Sequence, residues 1–168
     1  MSASFASRFC VGVVSLSLCC LPASADRDES DYIRRYERAA VNGSKAQKTA
    51  REALSRGYNL AKGDNVDAGI KEFTRAIAAD PKCDAAYLER AFYLAYNEKY
   101  KEAIPDLTAA IKLDPTNNLA FRRRGIIHLG LNHLNEAIQD FNSALKLWPK
   151  DTNALQRRAS AYQALGKK

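Results

Sequence analysis

Glycine and proline are scarce in this chain, eight and five among 168 residues. Neither a collagen-like repeat nor a glycine- and proline-rich disordered sequence fits that composition. Histidine occurs only at His128 and His133. On a continuous helix that interval of five puts them on different faces, whereas helical metal-binding pairs usually stand four apart, and His133 falls in a turn. No metal site is expected. No stretch reads as a strand, so no glycine-rich phosphate loop follows one, and no serine, histidine and carboxylate set stands out. Neither catalysis nor a cofactor is expected. The apolar stretch Phe9 to Leu21 is interrupted by Ser15 and Ser17 and is short of the roughly 20 residues needed to span a membrane.

Cysteine is nearly confined to the beginning of the chain: Cys10, Cys19 and Cys20, then only Cys83. Arg8, the apolar stretch after it and Ala23-Ser24-Ala25 form the three parts of a secretory signal peptide, residues 1–25, cut before Asp26. Lipidation at Cys19 or Cys20 fits less well, because neither follows a small residue. Cleavage leaves Cys83 without an intrachain disulfide partner, so packing alone must hold the fold. Cys83 is expected to be a semi-exposed loop residue. The chain is expected to be exported and periplasmic, with secretion as the alternative.

Formal net charge is +7, or about +6 once Arg8 is lost. Residues 50–117 hold ten Lys/Arg against eleven Asp/Glu, whereas residues 118–168 hold nine against three. The basic excess is C-terminal.

After a charged start, residues 26–49 form an N-terminal amphipathic segment. Tyr32, Tyr36 and Ala40 fall on one helical face with Ile33 beside them, and Arg34, Arg35 and Arg38 lie largely away from it. This segment either caps the helices after it or lies in a groove between them. Asn42-Gly43 stops it, and Ser44 with Gln47 reads as a capping box that opens a helix to about Lys62.

From there a thirteen-residue block occurs three times, Gly69–Pro81, Ala103–Pro115 and Ala137–Pro149, each starting 34 residues after the last. A fixed period of this size marks a repeat architecture. Gly57, Ala91, Gly125 and Ala159 form a small column; Gly69, Ala103, Ala137 and Ala76, Ala110, Ala144 form two more. Phe73, Leu107 and Phe141 form a large one, flanked by Ile70, Ile104 and Ile138. Small residues admit a second helix closely and large ones fill the space between, so helix pairs stack into a solenoid. Pro105 inside a helix is expected to bend rather than break it, and His128 is expected to be packed and hydrogen-bonded.

The pattern resembles the tetratricopeptide repeat. Its signature positions match Tyr87, Ala91, Ala103, Leu107, Ala110 and Pro115, then Phe121, Gly125, Ala137, Phe141, Ala144 and Pro149. Residues 50–83, with Ala53 and Gly69 at two signature positions, match less well. The resemblance implies an all-α, right-handed α-solenoid: repeats at 50–83, 84–117 and 118–151, then a half repeat at 152–168 whose Tyr162 and Leu165 cover the last apolar face.

Arginines keep the period at Arg56, Arg90, Arg124 and Arg158, as do acids at Glu72, Asp106 and Asp140, so salt bridges between paired helices are expected rather than a basic stripe. The resemblance places a partner peptide on the inner surface, lined by the first helix of each pair. Carried onto this chain, that surface holds Leu54, Tyr58, Leu88, Phe92 and Tyr96, then Arg122, Arg123, Asn153, Gln156 and Arg157. Arg123 and Arg157, one period apart, should sit side by side. Such a groove suits a protein or peptide segment with apolar residues followed by acidic ones. Chaperone-binding relatives carry a carboxylate clamp of Lys, Asn, Asn, Lys and Arg. Here those positions are Leu54, Tyr58, Glu89, Leu119 and Arg123, and only the last matches.

The expected function is a non-enzymatic interaction scaffold in the cell envelope. The alternative is binding of a polyanion or anionic membrane surface through the basic C-terminal half. Nucleic acid is not an expected partner, and self-association through the unpaired last helix is left open.

Overall fold

The structure is a computed structural model that describes residues 43–166. The expected signal peptide and the Tyr32–Ala40 face lie outside the described residues. Seven α-helices follow one another: α1 Lys45–Lys62, α2 Val66–Ala79, α3 Asp84–Tyr96, α4 Tyr100–Leu113, α5 Asn118–Gly130, α6 Leu134–Leu147 and α7 Thr152–Ala164. The described residues contain no strand. The architecture is an all-α repeat solenoid.

Local chemistry sets the helix boundaries. At α1 the Ser44 hydroxyl accepts from Gln47 N–H while Gln47 Oε1 accepts from Ser44 N–H, the reciprocal capping box. The side chains of Asn65, Asn117 and Asp151 accept from the backbone N–H of Ala68, Ala120 and Ala154 and so start α2, α5 and α7. Asp80, Asp114 and Trp148, each followed by proline, adopt extended backbone and end α2, α4 and α6. The α4 helix continues through Pro105. The turn inside each repeat places Asp64, Glu98 and Asn132 in the left-handed region, at φ 68°, 59° and 60°. These three residues are also spaced at the repeat period, and two of them, Asp64 and Asn132, are of types that tolerate this region.

Each helix packs on the next, and α1, α3, α5 and α7 also touch in succession. These first helices therefore line the inner face, and α2, α4 and α6 the outer one. Within a pair the two backbones approach closely. A Cβ added at Gly57 would stand 2.6 Å from the Phe73 ring, and one at Gly125 would stand 2.9 Å from the Phe141 ring. In the middle repeat the column holds Ala91 and faces Leu107, both fully buried. Glycine thus accompanies phenylalanine, and alanine accompanies leucine.

The charge ladder pairs across helices as its spacing suggests. Arg56 meets Glu72 at 2.9 Å, Arg90 meets Asp106 at 2.7 Å and Arg124 meets Asp140 at 2.8 Å. The latter two are bidentate. Arg90 also donates to Thr74 Oγ1 at 3.2 Å and Arg124 to Thr108 Oγ1 at 3.1 Å, each on the preceding repeat. Arg158 donates to Asn142 Oδ1 at 2.7 Å. Each of these three arginines reaches back to the repeat before its own.

Three expectations need correction. Cys83 is fully buried, not semi-exposed, because its position just before α3 turns it into the cluster of Ala50, Ala53 and Ala86. His128 and His133 meet, with their Nδ1 atoms 3.4 Å apart. The α5 helix ends at Gly130 and a short turn brings the chain back, so helical angles do not apply across the interval. Of the two capping residues, Leu165 packs on the last core cluster, but Tyr162 is exposed, as is Leu155.

Two measurements check this packing. Gly125→Ala gains about 1 kcal/mol of helix propensity but overpacks the Phe141 ring at a cost of about 1–3 kcal/mol. In urea unfolding, Phe141→Leu should relieve that overpacking, giving a favourable double-mutant coupling of about 1–2 kcal/mol; additive values would refute the close approach. Glu98→Asn should raise stability by about 0.5–1 kcal/mol, since asparagine tolerates the left-handed region better.

Candidate peptide-binding groove

The residues expected on the inner face do not form a uniform surface. Leu54 and Leu88 are buried, whereas Tyr58, Phe92 and Tyr96 are half-buried and keep part of their rings accessible. On α7, Asn153 and Arg157 are half-buried and Gln156 is exposed. An aromatic chain runs inward from this face: Phe92 meets Tyr93 edge-on at 5.0 Å, and Tyr93 stacks on Phe73 at 5.5 Å. Tyr93 is buried, and burial, then the nearby Glu89, Tyr58 and Tyr96, pushes its phenol well above the usual range.

The expected basic end is where the structure departs most from a row of rim cations. Arg122 is only 3% exposed, and its Nη1 lies 3.1 Å from both carboxylate oxygens of Asp151. Asp151 is itself the N-cap of α7, so this pair ties the half repeat to α5. Removing one partner of such a buried pair costs about 3–5 kcal/mol. Arg123 is 9% exposed; its Nη1 donates to the Leu88 carbonyl at 3.0 Å and to Glu89 Oε1 at 3.3 Å, and its guanidinium lies 4.6 Å from the Phe92 ring centre. The neighbour of Arg123 across the inner face is thus Glu89. Among the described residues Arg157 has no hydrogen-bonding or ionic partner.

Glu89, Asp151 and Tyr93 are functional-face or supporting residues that the sequence reading did not single out as such. For Glu89 a signal existed: it stands one period before Arg123, the same offset that links Arg123 to Arg157. For Asp151 the signal was its place at the start of the last helix. Among the described residues, no cluster of three or more His, Cys, Asp or Glu side chains gathers as a metal site would require. Burial lowers the His128 pKa, although Asp140 opposes it.

Burial pushes the Glu89 carboxyl up to about 8 from 4.5. The Arg123 contact acts in the opposite direction, but it is a single long bond from a cation that also serves the Leu88 carbonyl, so burial prevails. A carboxyl raised on folding contributes stability below its unfolded pKa and loses it as pH rises through the folded value. Glu89 should therefore make thermal stability fall between pH 4.5 and about 8. The Asp84 carboxyl, pushed up to about 6 by burial, acts in the same direction. Glu89→Gln should flatten the upper part of that curve; an unchanged slope between pH 6 and 8 would refute the assignment.

Comparison with known proteins bears on the family. The tetratricopeptide repeat family model matches residues 89–152. The second TPR domain of human RPAP3, solved in complex with the HSP70 peptide SGPTIEEVD, is 34% identical with a TM-score of 0.67, covering 69% of this chain and 97% of that one. The first TPR of Spaghetti (RPAP3), bound to the HSP90 peptide SRMEEVD, is 27% identical with a TM-score of 0.70, covering 71% and 95%. The Arabidopsis OM64 TPR domain is 25% identical with a TM-score of 0.67, covering 69% and 96%. No curated protein sequence gives a significant match. With a regular 34-residue step, paired antiparallel helices and a solved relative matched over nearly its whole length, this chain belongs to the tetratricopeptide repeat family.

Proposed function

We propose that this protein is a non-enzymatic interaction scaffold of the cell envelope, holding a partner peptide or protein segment against the inner faces of α1, α3, α5 and α7. The observation that carries this reading is the set of half-buried aromatic rings, Tyr58, Phe92 and Tyr96, on the successive inner helices α1 and α3. Part-exposed aromatic side chains are the usual anchors of a peptide, since they contribute area at little entropic cost. Peptide complexes of the similar RPAP3 domains support the same use of the fold. The signal-like first 25 residues support export.

The side-chain set argues against copying those relatives' ligands. Glu89 stands at an expected clamp position, where its own carboxyl already engages Arg123. An incoming terminal carboxylate would have to displace it. The polyanion alternative also weakens. Arg122 and Arg124 are paired with Asp151 and Asp140, Arg123 is buried against the Leu88 carbonyl, Glu89 and the Phe92 ring, and Lys167 and Lys168 lie outside the described residues. Among the described residues Arg157 is the inner-face cation whose charge is available to a partner, and one rim charge contributes only ~0–1 kcal/mol, at most about fivefold in affinity. The aromatic rings must carry the rest.

Selection from a random peptide library displayed against the chain beginning at Asp26 tests the reading. Enriched peptides should combine apolar residues with an acidic one. Their binding should weaken at least tenfold in Phe92→Ala, at most about fivefold in Arg157→Glu, and little between 50 and 300 mM salt. A steep loss with salt, unaffected by Phe92→Ala in a variant whose circular dichroism is unchanged, would refute groove binding and favour a polyanion.

A further inference from the structure

The inner face is more buried than a surface open to solvent would be. Leu88 is fully buried, and Arg122, Arg123 and Ile126 are 3%, 9% and 8% exposed. The same helical positions one period later, on α7, are Gln156, Arg157 and Ser160, which are exposed, half-buried and exposed. Burial therefore extends over α3 and α5 and ends at α7. Among the described residues no helix lies across this face, because each packs on its sequence neighbours and the first helices touch only edge to edge.

We propose that residues 26–42 of the same chain are the occupant of this groove. Three independent facts select this segment. First, it joins the fold in the right place: Gly43 and the Ser44 cap lead directly into α1, the first of the inner helices. Second, its length suits the span. Four inner helices at about 8–10 Å spacing are some 24–30 Å from first axis to last, and seventeen residues make a helix of about 25 Å.

Third, its chemistry runs in the matching order. Read backwards from Gly43, the apolar face of the segment carries Ala40, Tyr36, Ile33 and Tyr32, with Arg34, Arg35 and Arg38 largely off that face, and then come the acids Asp31, Glu29, Asp28 and Asp26 with Arg27 among them. Read from α1 outwards, the groove presents Leu54, Tyr58, Phe92 and Tyr96, then, past the buried Arg122 and Arg123, the half-buried Arg157 on α7. Apolar residues thus meet the aromatic end, and the acids reach the end at which Arg157 lies. The tether keeps the local concentration near the millimolar range, so modest contacts suffice. If the groove is also the partner site, as proposed above, the segment acts as an internal competitor, and a partner's apparent affinity scales with the fraction of time the groove is open.

A photocrosslinker in place of Tyr36, in the chain beginning at Asp26, tests the occupant directly. Mass spectrometry should find crosslinks within one molecule to residues on α3 and α5, with a yield independent of protein concentration. Asp28→Lys with Glu29→Lys and Asp31→Lys, changes outside the described helices, should reduce that yield severalfold. Crosslinks confined to α2 would show that the segment caps the end of the stack and would overturn the proposal. Crosslinks found only between molecules would overturn it too, by assigning the groove to a second copy. Peptides from the display selection separate the two readings. They should bind the triple-lysine variant on the order of tenfold more tightly. Crosslinks on α3 and α5 in a protein that selects no peptide would uphold the occupant while removing the partner site. Peptide binding with no crosslinks on α3 and α5 would do the reverse.

Discussion

The close approach of the two helices within each repeat is the constraint on which the rest of the stack depends. Neither helix has enough apolar surface to bury its own stripe, so each must find its partner at a separation fixed by what lies between. Phe73 and Phe141 fill that space only because Gly57 and Gly125 withhold a side chain. Leu107, a smaller group, tolerates Ala91. Once this spacing is set, Arg56, Arg90 and Arg124 each fall opposite an acid, and the inner helices fall side by side.

The groove inherits its geometry from this packing, but its chemistry comes from residues that do not repeat. One column holds Ser55, Glu89, Arg123 and Arg157, and the fold treats each differently. Glu89 is drawn into the interior with its carboxyl raised by burial, Arg123 is shared between that carboxyl, a backbone carbonyl and the Phe92 ring, and Arg157 alone keeps its charge available. Counting basic residues along the chain overstates what a partner would meet. Electrostatics on this face is mostly an internal affair, and apolar contact is left to set affinity.

Legibility in the sequence divides along the same line. Helix order, the turns closed by proline and the Arg–acid ladder were legible because each rests on residue types that recur in phase, and the Ser44 capping box because its two residues stand three apart. Cys83 was misread because flanking turn residues suggest exposure, whereas the chain's exit from Pro81 carries the thiol inward against Ala50 and Ala53. The contact between His128 and His133 was missed because a helical angle was applied across a helix end. Arg122 was expected among the groove residues because its partner, Asp151, lies 29 residues away at a cap and belongs to no repeated column. These are properties of three-dimensional neighbours, and periodicity carries no information about them.

Arg90 and Arg124 each hold two joints at once, the acid on the second helix of their own repeat and the threonine hydroxyl on the repeat before. One planar guanidinium cannot turn toward one of these without drawing away from the other. The angle inside a repeat and the angle between repeats are therefore geared together. Such a stack resists a local hinge. A change of angle inside one repeat is therefore passed to the repeat before it.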